Sequence, residues 1–119
     1  MLILLTGIAG SIGACLRYLT DRTISNKTSA SFPMGTFAIN ATGSFFLGII
    51  EGLSSGHHIG NFTATILGTG FCGAFTTFST YMYETFNLFS SKSYLQGTLN
   101  LVGTTIVCLS FAGLGLYLG

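Results

Sequence analysis

Asn40 is the residue whose chemistry fits its neighbours least. It stands inside Gly35-Thr36-Phe37-Ala38-Ile39-Asn40-Ala41-Thr42-Gly43-Ser44, and a side-chain amide in apolar surroundings must find a partner or line water. The sequence leaves two roles open, an interhelical hydrogen bond or a place on the wall of a water-filled path. A second concentration of polar groups begins with Gly68, Gly70 and Gly73 and continues into Thr76-Thr77-Phe78-Ser79-Thr80. Weak helix formers followed by hydroxyls that compete for backbone hydrogen bonds predict a helix broken near its middle. A third set, Asn100, Thr104, Cys108 and Ala112, recurs every fourth residue. One helix face therefore carries polar or small side chains, which packing alone would also explain.

The remaining reactive residue types do not assemble into a catalyst. Cys15, Cys72 and Cys108 each lie inside apolar runs without CxxC spacing, so they read as small packing residues. His57 and His58 sit between Gly56 and Gly60 and read as solvated loop residues, since two adjacent histidines lack the further ligands a metal needs. Arg17 lies deeper in its apolar run than Arg22 and Lys27, and snorkelling accounts for it without a special role. No nucleophile triad, paired catalytic carboxylates, phosphate-binding glycine loop or metal-ligand cluster is present, which speaks against an enzyme.

These residues must be positioned by elements suited to lipid. The chain has 119 residues, of which 6% are charged and 49% apolar, and its net charge is +1. A soluble domain carries about a quarter charged residues, so an all-α integral membrane protein is the expected class, and a nucleic-acid binder is excluded by the same count. The length accommodates a single domain of four transmembrane helices, expected at residues 2–20, 33–52, 61–89 and 94–118, the third longer than one span requires. Pro33 suits the first turn of the second helix. Ile12-Gly13-Ala14-Cys15 loosely imitates a lipoprotein cleavage site, but no cationic segment precedes the apolar run, so that run is expected to stay as a helix.

Helix three contains Gly70-Phe71-Cys72-Gly73-Ala74-Phe75-Thr76-Thr77-Phe78-Ser79-Thr80-Tyr81, which closely resembles the signature of the Fluc (CrcB) family of fluoride channels. Gly10-Ser11-Ile12-Gly13-Ala14-Cys15-Leu16-Arg17-Tyr18, and Pro33-Met34-Gly35-Thr36 through Asn40 to Gly43, resemble that family's other patterns in the same order. The resemblance spans essentially the whole chain. It implies a passive, fluoride-selective channel that lowers cytoplasmic fluoride, built as an antiparallel dual-topology dimer with two narrow pathways. It also implies a structural sodium ion at the dimer interface, held by backbone carbonyls of Gly73 and Thr76. By the same resemblance the fluoride pathway would use Asn40, Phe78, Ser79, Thr80 and Tyr81, with Arg17 in a structural or vestibule position and Thr104, Cys108 and Ala112 as a pore face on helix four. The family usually has a second phenylalanine where this chain has Tyr81, and often Ser or Thr where it has Cys108 and Ala112. An amide and hydroxyls can donate to an anion, and an aromatic ring presents a positive edge.

Charge sets an expected orientation. With four spans, Arg22, Lys27 and Lys92 fall on one side, so both termini are expected outside the plasma membrane. An antiparallel homodimer requires the same chain to insert both ways, which this bias disfavours, and an oppositely oriented paralogue is the expected partner. Two rivals remain. A small four-helix multidrug exporter needs a membrane-embedded carboxylate, whereas helix one has none and Glu51 and Glu84 lie near expected span ends. A non-conducting membrane assembly subunit would use Asn40 and the glycines for packing only.

Overall fold

The structure, a computed structural model, describes residues 1–28 and 32–119; the expected Ser/Thr-rich connection from Thr28 to Phe32 lies partly outside these. The described residues form α1 (Leu2–Lys27), α2 (Met34–Ser55), α3 (61–75), α4 (Ser79–Ser90) and α5 (Tyr94–Leu118), with no strand among them. By length and composition α1, α2 and α5 can each cross a membrane. This is an all-α membrane protein, elongated to 47 × 27 × 22 Å, and its long axis exceeds the roughly 30 Å hydrocarbon core of a bilayer.

The helix ends differ from the hydropathy boundaries in instructive ways. α1 continues to Lys27, through the polar stretch where its span was expected to end near residue 20. Hydropathy marks where lipid stops, whereas a helix needs only satisfied backbone groups, and Lys27 in the last turn complements the helix dipole. Pro33 stands immediately before α2, in the N-cap position, and α2 runs on to Ser55. α5 runs from Tyr94 to Leu118.

Two helices stop in the same way. His58 N–H donates to Leu53 O and His57 N–H to Ser54 O after α2, while Ser93 N–H donates to Leu88 O and Lys92 N–H to Phe89 O after α4. Both are Schellman caps, and their left-handed positions are filled by His57 (φ 61°) and Lys92 (φ 64°) rather than glycine. His57 is thus part of a helix terminus, and the Lys92 cation sits where the dipole favours it.

Glycine lets the helices meet backbone to backbone. A Cβ on Gly13 of α1 would strike the Phe71 carbonyl of α3, and one on Gly70 would lie 2.8 Å from Thr6 O. Between α2 and α5, Cβ atoms on Gly48, Gly115 and Gly119 would strike the carbonyls of Ala112, Phe45 and Ile49 respectively. In lipid no hydrophobic force drives helices together, so such close contact is a principal source of cohesion. α3 and α5 each include a π-helical stretch, Thr65–Cys72 and Leu99–Gly103, a wider turn that recurs at functional positions.

Candidate functional site

α3 ends at Phe75, Thr76 is extended (ψ 161°), and helical structure resumes at Ser79. Asn40, on α2, meets this non-helical stretch with both ends of its amide. Its Nδ2 donates to Thr77 O and its Oδ1 accepts from Thr77 N–H, each at 2.9 Å. The side chain therefore replaces two partners that an uninterrupted helix would have supplied. One Nδ2 hydrogen is left over for another acceptor.

The same break takes the helical donors from successive carbonyls, Gly73 O and Thr76 O among them. Thr77 N–H, the donor that Gly73 O would receive in a continuing helix, goes to Asn40, and Thr80 N–H goes to Thr77 Oγ1 at 3.3 Å instead of Thr76 O. Gly73 is exposed and a Cβ there would meet only Gly68 O, at 3.7 Å. Hard cations take oxygen ligands of this kind. Among the described residues no three His, Cys, Asp or Glu side chains are grouped to hold a metal.

Asn40 and Thr77 line a cavity of about 320 Å³ between α2, α4 and α5. Phe78 and Tyr81 form part of its wall, with ring centroids 5.9 Å apart and planes inclined at 59°. On the α5 side stand Thr104, Thr105 and Cys108, and Ser44 of α2 lines the same cavity. Of the residues expected along a pathway, the cavity thus gathers Asn40, Phe78, Tyr81, Thr104 and Cys108, together with Thr76, expected as a sodium ligand. Ser79 and Thr80 are exposed beyond it, and Gly73, Arg17 and Ala112 do not line it. Phe78 is 74% exposed although it lines the cavity, so one chain by itself does not close this wall.

Three participants were not named by sequence. Thr77 holds Asn40, and Thr105 Oγ1 lies 3.0 Å from the Tyr81 hydroxyl. The third, the Leu101 carbonyl, accepts from both Tyr81 and Thr105, an arrangement served by the π-helical turn that contains it. The hydroxyl that distinguishes Tyr81 from phenylalanine is therefore tied to α5 backbone. Thr104, by contrast, donates to Asn100 Oδ1 at 3.1 Å, which turns its hydroxyl proton away from the cavity.

A larger cavity, about 500 Å³, lies at the far end of α4, where Asp21 of α1 and Glu84 of α4 both face it. Glu84 accepts a hydrogen bond from Thr36 of α2. Ser25 and Ser91 line the same cavity, which places the C-terminal ends of α1 and α4, and hence Lys27 and Lys92, at one end of the bundle.

Residues 4–116 match the family profile described as "CrcB-like protein, Camphor Resistance (CrcB)". The chain is 44% identical over 119 residues to a protein of Leifsonia xyli subsp. xyli named fluoride-specific ion channel FluC 1, covering all of this chain and 87% of that one. It is 44% identical over 115 residues to fluoride-specific ion channel FluC 2 of Clostridium acetobutylicum, with 97% and 92% covered. A fluoride-specific ion channel FluC of a Shewanella species (strain W3-18-1) is 40% identical over 113 residues, with 95% and 91% covered.

Proposed function

Starting from the chain's membership of the CrcB-like family of multi-pass membrane ion channels, which are not enzymes, we propose that it is a passive, fluoride-selective channel that carries fluoride out of the cytoplasm. The observation that carries this reading is the Asn40 amide gripping Thr77 beside a cavity walled by Phe78 and Tyr81. Fluoride is strongly hydrated, and a path that strips its water must return directed donors. The free Nδ2 hydrogen of Asn40 supplies one, and the positive edges of the two rings supply a weaker electrostatic contact. An interior-negative potential drives an anion outward by about 2.3 kcal/mol per charge per 100 mV, so no other energy source is needed.

In this reading α3 and α4 together make the third of four spans, interrupted at bilayer depth where Asn40 and the cavity receive the freed backbone groups. The exposure of Phe78 supports a second subunit that completes the wall, packed antiparallel. The released carbonyls of Gly73 and Thr76 fit a hard monovalent cation, and are the groups that would hold a structural sodium ion between subunits. Bound there, sodium would neutralise carbonyl dipoles that lipid cannot solvate. Ser79 and Thr80, exposed on the first turn of α4, and the α5 face of Thr104, Cys108 and Ala112 belong to the proposed route on either side of the cavity, and Arg17 lies outside it on α1.

Fluoride-electrode recording from liposomes that hold sodium inside and out, with chloride as control, tests the reading. Fluoride efflux without chloride efflux is expected, and loss of both ions together, or of neither even with a paralogue present, would overturn it. The cations at one end of the bundle support termini outside and an oppositely oriented paralogue as partner. A single cysteine at Ser55, the exposed last residue of α2, in a background lacking Cys15, should then react with impermeant maleimide from outside only. Labelling from both sides would show dual insertion and favour a homodimer.

A further inference from the structure

Behind the cavity wall, α4 and α5 are joined by a buried polar chain that runs inward from the cavity-lining Thr104. Asn100, Thr85 and Thr104 are only 1%, 3% and 3% exposed. Thr104 Oγ1 donates to Asn100 Oδ1 at 3.1 Å, Asn100 Nδ2 donates to Thr85 Oγ1 at 2.6 Å, and Thr85 Oγ1 donates to Tyr81 O at 2.8 Å. The chain ends on the backbone of the residue whose ring lines the cavity. The hydroxyl of that same ring donates to Leu101 O, the neighbour of Asn100 in the π-helical turn Leu99–Gly103. One turn of α5 thus holds Tyr81 at both ends.

We propose that Asn100 is a positioning residue of the anion pathway, fixing through Thr85 the rotation of α4 and with it the edges of the Phe78–Tyr81 pair. The proposal rests on the fluoride-channel reading above. α4 needs such a tie because the three residues before it, Thr76 to Phe78, are not helical, so no continuous backbone ladder transmits its orientation from α3. Orientation matters because an aromatic ring attracts an anion at its edge and repels it at its face. A modest turn of α4 therefore changes the sign of the contact. An amide suits the task, since it accepts from Thr104 on one side and donates to Thr85 on the other, and Thr85 both accepts and donates in turn. Asp at position 100 would lose the donor and Leu would lose both.

Asn100→Ala would leave two buried hydroxyls without their partner and fails to separate positioning from folding. Thr85→Val keeps nearly the same shape and removes only the hydroxyl, and Thr85→Ser keeps the hydroxyl. Fluoride and chloride fluxes of both variants and the wild type are to be measured in the same liposomes, with any required partner subunit. The expected result is that Thr85→Val lowers the fluoride-to-chloride ratio about tenfold, the scale of one buried hydrogen bond, and that Thr85→Ser stays within about twofold of wild type. A role in folding alone lowers yield and both fluxes together and leaves the ratio unchanged, which would overturn the proposal. So would equal impairment of the Val and Ser variants, because shape rather than the hydrogen bond would then be responsible. A wild type that carries no fluoride overturns the channel reading itself, whereas a conducting wild type matched by Thr85→Val overturns only the role of Asn100.

Discussion

Asn40→Asp is expected to lower fluoride efflux by roughly three orders of magnitude, beyond what its loss of the bond to Thr77 O costs in stability. The carboxylate can accept from Thr77 N–H as the amide does, but it has no hydrogen to offer either Thr77 O or a passing anion. A fixed negative charge about 4 Å from fluoride costs about 4 kcal/mol at an effective dielectric constant near 20, which corresponds to roughly a thousandfold in rate. Asn40→Ala should behave differently. It leaves both Thr77 backbone groups unpaired, at about 1–3 kcal/mol each, so it should lower the thermal midpoint in detergent as well as the flux. Electrode-recorded efflux and a thermal melt on the same preparations separate the two effects. An Asp variant conducting at the wild-type rate would remove Asn40 from the pathway and leave it as a structural clamp.

Gly48→Ala and Gly115→Ala are expected to be the most damaging methyl additions in the chain. Each new Cβ would strike backbone across the α2–α5 seam, the Ala112 carbonyl in one case and the Phe45 carbonyl in the other. Backbone cannot rotate away as a flexible side chain can, so the helices must separate. Overpacking of this kind costs about 1–3 kcal/mol per site. Gly113→Ala is the control, because nothing lies within 4 Å of its Cβ direction, and a helical Gly→Ala change otherwise gains about 0.5–1 kcal/mol. Thermal unfolding in detergent should therefore rank Gly113→Ala at or above wild type, with the other two well below. Equal midpoints for all three would mean that the seam is looser than the structure has it.

The sequence was informative wherever one residue type answers to one solvent. Seven charged side chains among 119 residues suit lipid, and the start of α5 follows from the polar turn before it. α1 runs seven residues past the expected end of its span because hydropathy reports immersion, and Asp21 to Lys27 simply continue the helix beyond it. At the site, Asn40 and the aromatic pair stand out as side chains out of place in their surroundings. Their partners do not, since Thr77 and Leu101 act through backbone atoms that every residue possesses. A side-chain alphabet cannot flag a carbonyl freed by a π-helical turn. The spacing of Asn100, Thr104, Cys108 and Ala112 assumes 3.6 residues per turn, and the wider turn at Leu99–Gly103 sets Thr105 beside Tyr81, while Ala112 lies outside the cavity.

Cohesion in this molecule is of two kinds. α1 meets α3, and α2 meets α5, glycine against backbone, whereas α4 is hung from its neighbours by polar ties: Thr36 to Glu84, Asn100 to Thr85, Tyr81 to Leu101. Glycine seams are indifferent to water, but a hydrogen bond weakens when water competes for it. Mechanically the bundle is therefore a close-packed frame carrying one strut whose orientation rests on a few directed bonds.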